Sequence, residues 1–306
     1  MGVTAVASWL SLGEGSTPLV VARRTPGLYL KLEGLNPTGS FKDRGMVVAV
    51  ERAAESGARA VVCASTGNTA ASAAAYAARA GLEAVVLTPA GATAGPKRAQ
   101  ARAAGARVLE VNGSFDDALR LCRELGERDG FVLVNSINPN RIEGQKSVAF
   151  EILEQLGAVP DVVALPFGGG GNVSAVAAGF AEAGVAPRIV VGEAAERATT
   201  WASAIRIGEP AHAVHVAELV SSGRVEVVTL GEEELRAVWL RLAREEGAFC
   251  EPASAAGVAA LERLGIGDGL NVAILTGHGL KDTDSVDEPG APVVEPTLEA
   301  VLEALA

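Results

Sequence analysis

The stretch Asn36-Pro37-Thr38-Gly39-Ser40-Phe41-Lys42-Asp43-Arg44-Gly45 decides how the rest of the chain is read. Asn-Pro and Thr-Gly are turn-forming pairs. They deliver one lysine, Lys42, into the start of a predicted helix over about 44–55 whose apolar side includes Met46, Val47 and Val50. A lysine held at such a turn is partly desolvated. Burial disfavours the charged form, so the amine becomes available to attack an aldehyde and form a Schiff base. Alone, the residue fits an ordinary solvated charge near a helix start as well.

Outward from this turn, short apolar runs alternate with helical patterns. Strands are predicted at 28–32, 60–64, 84–88, 107–111, 131–134, 161–165, 188–192 and 271–275. Continuous apolar runs separated by helices imply parallel strands buried on both faces. Between them lie an alanine-rich helix closed by Gly81, a helix opened by the capping-box spacing Ser114 to Asp117, and a helix with Ala149, Ile152, Leu153 and Leu156 on one face. Leu235, Val238, Trp239 and Leu242 mark a further long helix. Only loops and short helices are predicted for 194–222. A tail helix carrying Leu298, Val301, Leu302 and Leu305 is free to dock on its own domain or on a second subunit.

Composition narrows the function. The 306 residues suffice for about two domains of roughly 150 residues each. Apolar residues make up 49 % and charged ones 21 %, the balance of a soluble globular protein. A formal charge of −11 argues against nucleic acid or an anionic membrane as partner, so any anion site is local. Cys63, Cys122 and Cys250 are odd in number and widely spaced, which suits a reducing cytoplasm. The first twelve residues lack the pattern of a signal peptide, and no apolar run reaches the roughly 18 residues of a membrane span.

Three further stretches carry polar groups at strand-to-helix junctions. Ser65-Thr66-Gly67-Asn68-Thr69 brings free backbone N–H groups, hydroxyls and an amide to one point, suited to a carboxylate, or else simply caps the helix. Gly168-Gly169-Gly170-Gly171-Asn172 lets backbone wrap around a phosphate, and a dinucleotide loop or plain turn fits the same residues. Asn135, Ser136 and Arg141 combine neutral donors with a fork for a dianion, although a helix-start arginine is commonly just solvated. Thr276 ends the last strand, where ligands of open α/β sheets sit. His278 reads as a turn histidine, and His212 and His215 lack the partners of a metal site.

Taken together, these stretches resemble threonine synthases, pyridoxal-phosphate enzymes of the tryptophan-synthase β-subunit-like fold (fold type II). Leu12-Gly13-Glu14-Gly15-Ser16-Thr17-Pro18-Leu19, the run from Glu245 to Ala256, and Thr276-Gly277-His278-Gly279-Leu280-Lys281-Asp282 resemble the family too. The resemblance implies a two-domain α/β fold with open, mostly parallel sheets flanked by helices. It makes Lys42 the catalytic lysine that forms the Schiff base. Gly168, Gly169, Gly170, Gly171 and Asn172 would hold the cofactor phosphate, Asn68 its phenolic oxygen and Thr276 its ring nitrogen. Thr66, Asn68 and Thr69 would take the substrate carboxylate, and Ser65, Asn135, Ser136 and Arg141 its phosphate. Lys97 matches a family lysine without an assigned role. Threonine synthases usually carry asparagine where this chain has Gly169, which removes one donor from the phosphate site.

The implied reaction converts O-phospho-L-homoserine and water to L-threonine and phosphate by γ-elimination and β-addition of water. The expected organisation is a large cofactor-binding domain from 1–45 and 135–306 and a small domain from 46–134, in a cytoplasmic homodimer acting on a small phosphorylated amino acid, with no metal. A serine or threonine dehydratase and a natural-product amino-acid synthase on the same fold are alternatives. A non-catalytic metabolite binder or a nucleotide-binding protein fits fewer of the residues.

Overall fold

The apolar runs form two separate sheets in the computed structural model, which describes residues 9–91, 95–265, 269–286 and 290–305. In chain order the first half comprises β1 (Leu19–Val21), β2 (Leu28–Leu32), α1 (Lys42–Glu55), β3 (Ala60–Ala64), α2 (Asn68–Ala80), β4 (Glu83–Pro89), α3 (Pro96–Ala103), β5 (Arg107–Val111), α4 (Phe115–Gly126) and β6 (Phe131–Leu133). Next come α5 (Pro139–Gln145), α6 (Ser147–Leu156), β7 (Val162–Pro166), α7 (Gly171–Glu182), β8 (Arg188–Ala194), α8 (Ala213–Ser221) and β9 (Val225–Leu230). The chain closes with α9 (Glu232–Glu245), α10 (Ala255–Leu264), β10 (Asn271–Leu275) and α11 (Leu298–Leu305).

One sheet has the order β1-β2-β10-β7-β8-β9 and the other β5-β4-β3-β6. Every pairing is parallel except β1 with β2. The smaller sheet is built wholly from residues 60–133, and the larger from the two flanking parts of the chain. Central strands such as β3 and β10 are buried at every residue, as continuous apolar runs require. In α2 the small side chains Ala70, Ala71, Ala73, Ala74 and Ala77 are all buried beside one bulky residue, Tyr76. Asp117 and Ser114 complete the expected capping box of α4.

Several elements lie outside the sequence expectation. Helix α1 begins at Lys42 itself. Strands β1 and β9 and helices α3 and α10 were not foreseen, whereas the 194–222 segment holds the expected loops and short helices, α8 among them. The expectation about the first twelve residues falls largely on positions outside the described ones. Among the described residues no helix is long and apolar enough to cross a membrane. The three cysteines are free and buried.

The feature of the fold that matters most for the site is the crossing of α1 and α5. A Cβ on Gly45 would fall 2.4 Å from the Arg141 carbonyl oxygen, and one on Gly144 would fall 2.1 Å from that of Arg44. The two helices therefore meet backbone to backbone. This contact brings the start of α1, with Lys42, against the helix that carries Arg141. Behind it, Arg44 is locked by Glu33 and Glu151, its Nε lying 2.6 Å from Glu33 and its Nη1 2.7 Å from Glu151. Substitution Gly144→Ala should force the helices apart and destabilise the protein by roughly 1–3 kcal/mol. Urea unfolding of the variant beside the parent protein measures this.

Candidate active site

The carboxyl ends of β2, β3, β6, β7 and β10 each hand over to a loop, and these loops hold the residues singled out from the sequence. The lysine turn is stitched to the end of β10. Phe41 N–H donates to the Thr276 carbonyl at 3.0 Å, and His278 N–H donates to that of Gly39 at 3.0 Å. Inside the turn, Asp43 accepts from the Thr38 backbone N–H (2.7 Å), the Thr38 hydroxyl (2.6 Å) and the Ser72 hydroxyl (2.6 Å). Lys42 is thus placed by a turn in which Thr38 and Asp43 are already satisfied, while the buried Ser40 hydroxyl has no partner among the described residues.

Lys42 is half-buried, with Nζ 4.4 Å from the centroid of the Phe41 ring. Desolvation pushes its amine down to about 7; the nearby Arg141 charge pushes the same way, and Glu251 opposes them. A lysine in water is protonated until about pH 10.4, whereas this amine is half neutral near pH 7.

Arg141 is fully buried. Its Nη1 donates to the Val134 carbonyl at 2.9 Å, while Nε and Nη2 have no hydrogen-bond partner among the described residues. Burial lowers the guanidinium to about 10, still charged at neutral pH. An unpaired cation of this kind is costly unless an anion completes it.

Asn68 opens α2, with its Nδ2 donating to both Glu251 carboxylate oxygens at 2.8 and 3.0 Å and its Oδ1 buried and unpartnered. Thr66 is exposed at the tip of the same loop, whereas Ser65 and Thr69 are half-buried. The Ser65 hydroxyl accepts from Gly67 N–H at 3.0 Å. Asn135 exchanges two hydrogen bonds of 2.9 Å with the backbone of Ala64, so most of its amide serves to fix this loop. The Ser136 carbonyl takes the Nε2–H of His212 at 3.0 Å, which fixes the histidine tautomer because a carbonyl only accepts.

The glycine loop runs from the end of β7 into α7. Gly168 O accepts from Arg197 at 2.7 Å and Gly169 O from the His212 N–H at 3.0 Å. Gly170 has φ +84, and a Cβ there would lie 3.0 Å from the Cβ of His212. Only glycine meets both conditions without strain. The first-turn N–H groups of α7 and the buried, unpartnered Nδ2 of Asn172 remain available. At the end of β10 the Thr276 and Ser254 hydroxyls are 3.1 Å apart, and Ser254 Oγ also accepts from Gly277 N–H at 3.1 Å.

The family model described as pyridoxal-phosphate dependent enzyme matches residues 10–277. The chain belongs to that family. Threonine synthase from Halalkalibacterium halodurans is 46 % identical, with 92 % of this chain and 87 % of that one covered. The threonine synthase of Mycobacterium tuberculosis is 45 % identical over 97 % of this chain and 91 % of its own. Among solved structures, the processed form of threonine deaminase isoform 2 from Solanum lycopersicum has TM-score 0.76 at 23 % identity, covering 88 % of this chain and 80 % of that one. O-ureido-L-serine synthase has TM-score 0.77 at 24 % identity, with 97 % and 98 % covered. These two share the fold, type II of the pyridoxal-phosphate enzymes.

The residues present suit pyridoxal phosphate, the cofactor of this family. A neutral amine, a side-chain-free backbone cradle at a helix N-terminus with an unpaired amide, and a hydroxyl pair for a ring nitrogen are what its aldehyde, phosphate and pyridine require. His278 behaves as the turn residue expected, its Nδ1 accepting from Leu280 N–H at 3.1 Å.

Three residues of the site went unassigned in the sequence: Ser254, which holds Thr276; His212, which seats the glycine loop; and Glu251, which holds Asn68. A helix-period or motif signal alone does not show such contacts. The pH dependence of acylation of Lys42 in the cofactor-free protein should have its midpoint near 7, with reactivity rising as pH increases. A midpoint near that of a free lysine would remove the basis for a neutral amine.

Proposed function

We propose that this protein is a threonine synthase that converts O-phospho-L-homoserine and water to L-threonine and phosphate. The observation that carries the reading is Arg141, fully buried, charged, and with two of its nitrogens unpaired beside the lysine turn. A hydroxy amino acid brings only its carboxylate, for which the start of α2 already offers donors, whereas a phosphorylated one brings a second anion that bonds a guanidinium fork in two places. The threonine synthases that cover most of the chain support the same substrate class.

Bound pyridoxal phosphate supplies an electron sink conjugated to the substrate's α-carbon. The chain's own residues supply the rest. Gly168, Gly169, Gly170, Gly171 and Asn172 hold the cofactor phosphate, Thr276 the ring nitrogen, and Asn68 the phenolic oxygen. The start of α2 with Thr66, Asn68 and Thr69 takes the substrate carboxylate, where free N–H groups and the helix dipole favour negative charge.

Lys42 Nζ, neutral near pH 7, removes the proton from Cα and then moves protons at Cβ. Arg141, Ser65 and Ser136 hold the phosphate so that it leaves Cγ as a stabilised dianion, and water then adds at Cβ. Asn135 contributes chiefly by fixing the loop that carries Ser65. At Gly169 a Cβ would meet only Ile207 Cδ1 at 3.5 Å, so the backbone here leaves room for a Cβ where threonine synthases usually carry asparagine.

We place the reaction in the cytoplasm, in keeping with three free cysteines, and in a homodimer, in keeping with the exposed Leu298, Leu302 and Leu305 on α11. The large domain in this reading is 1–45 with 135–306 and the small one 46–134.

Purified protein loaded with cofactor should release phosphate and threonine in equal amounts from O-phospho-L-homoserine. Activity on serine or threonine without phosphate release would select a dehydratase instead. Lys42→Ala should abolish turnover. Arg141→Ala should raise KM about tenfold or more while cofactor affinity changes little, since it removes a charged hydrogen bond worth roughly 1.5–3 kcal/mol from the substrate alone.

A further inference from the structure

Glu251 is 1 % exposed and stands where the two sheets' loops meet. Its backbone N–H donates to the Gly277 carbonyl at 2.9 Å, next to the stitched lysine turn. Space for its carboxylate exists because residue 277 is glycine: a Cβ there would lie 2.1 Å from Glu251 Oε1. The preceding carbonyl, that of Cys250, is held by Trp239 Nε1–H at 2.6 Å, so the residue enters the site from a fixed backbone.

The carboxylate serves two elements of the smaller-sheet half of the chain. It accepts both hydrogen bonds from Asn68 Nδ2, at the first residue of α2, and its Oε2 lies 3.1 Å from Nζ of Lys97, in the first turn of α3. Lys97 Nζ also reaches Asp282 Oδ2 at 3.4 Å and Ser203 Oγ at 3.2 Å, and Ser203 bonds Asp282 at 2.6 Å. One turn further along α3, Gln100 accepts from Lys281 Nζ at 2.6 Å and donates to the Thr38 carbonyl at 3.2 Å. Lys281 Nζ bonds that same carbonyl. Thus α3 is pinned at two points to the larger-sheet side, one pin ending on the lysine turn and the other on the carboxylate that holds Asn68.

The charges are consistent with this arrangement. Glu251 and Asp282 hold Lys97 above the ordinary lysine range against the desolvation that would lower it. Lys281, lacking a directly bonded acid, is lowered by burial to about 8. Lys97 is therefore a permanent cation whose counter-charge is Glu251, and the pair costs least when α3 is seated.

We infer that Glu251 is a positioning residue for the reaction: its one carboxylate orients the Asn68 amide and receives Lys97, so that seating α3 and setting Asn68 beside Lys42 are a single event. If α3 lifts, Glu251 loses its cation, and the Asn68 amide with its unpartnered Oδ1 loses its fixed aim. The inference rests on the reading of Lys42 as the cofactor lysine.

The test uses the cofactor-loaded, full-length protein with Glu251→Gln, Lys97→Met and the double variant. Hydrogen–deuterium exchange at the amides of α3 should rise in both single variants, while α4 on the same sheet stays protected. The visible absorption of the bound cofactor in Glu251→Gln should shift as it does in Asn68→Ala. Turnover should fall about 10- to 100-fold in each single variant, the scale of a misplaced group, with the double variant no worse than the worse single.

Unchanged α3 exchange in Glu251→Gln, equal loosening of α3 and α4, an unshifted spectrum, or additive losses would each overturn the inference. Borohydride reduction and peptide mapping of the parent protein separate the two levels. Label on another lysine removes the reading and the inference together, whereas label on Lys42 with indifferent variants removes the inference alone.

Discussion

Lys42 and Arg141 share a desolvated corner of this molecule because α1 and α5 cross with their backbones in contact. Gly45 and Gly144 permit that crossing, and no residue with a side chain fits at either position without moving a carbonyl. Everything at the site follows from it. Lys42 is discharged chiefly by the loss of water and further by the neighbouring Arg141, and Arg141 in turn keeps two nitrogens without a hydrogen-bond partner among the described residues. A buried guanidinium with two unpartnered nitrogens binds an anion without any general basicity of the protein, which carries a net charge of −11.

The neighbouring Arg44 shows the contrast. It lies only two residues from Lys42 and is almost as buried as Arg141, yet Glu33, Glu151, Ser147 and Thr17 satisfy it. Its task is to fix the turn. In the sequence both are arginines near a helix start, and nothing local tells them apart. Burial with partners marks a structural charge, and burial without them marks a place for a ligand.

This limits what could be read beforehand. The central strands such as β3, β7 and β10 were legible because short apolar runs, alternating with helical patterns, suit a parallel sheet covered on both sides. Strand β9, Val-Glu-Val-Val-Thr-Leu, lies on the edge of the larger sheet and was not assigned, although the equally edge-placed and more charged β5 was. Helix α3, Pro-Lys-Arg-Ala-Gln-Ala-Arg-Ala, has hardly an apolar stripe; Pro96 at its first position was the one signal that it starts there. Apart from the buried Ala101, its face is held by polar bonds. The lysine turn, the glycine loop and Arg141 were legible because each brings its chemistry within a few residues.

Glu251 was not legible for the opposite reason. It lies 183 residues from Asn68 in sequence, and its role exists only once two sheets have been folded and faced. An acid within an otherwise apolar run is a weak hint, since a buried carboxylate needs donors that the run itself does not contain. The donors come from the other sheet: one amide and one ammonium, both at helix starts. The same physics that made the carboxylate unreadable makes it informative in the structure. A charge with no local partner, fully removed from water, is stable only while distant elements stay in place, so it reports on whether they do. In this molecule the elements so reported are α2 and α3, the two that carry or cover the loop predicted to receive the substrate's carboxylate.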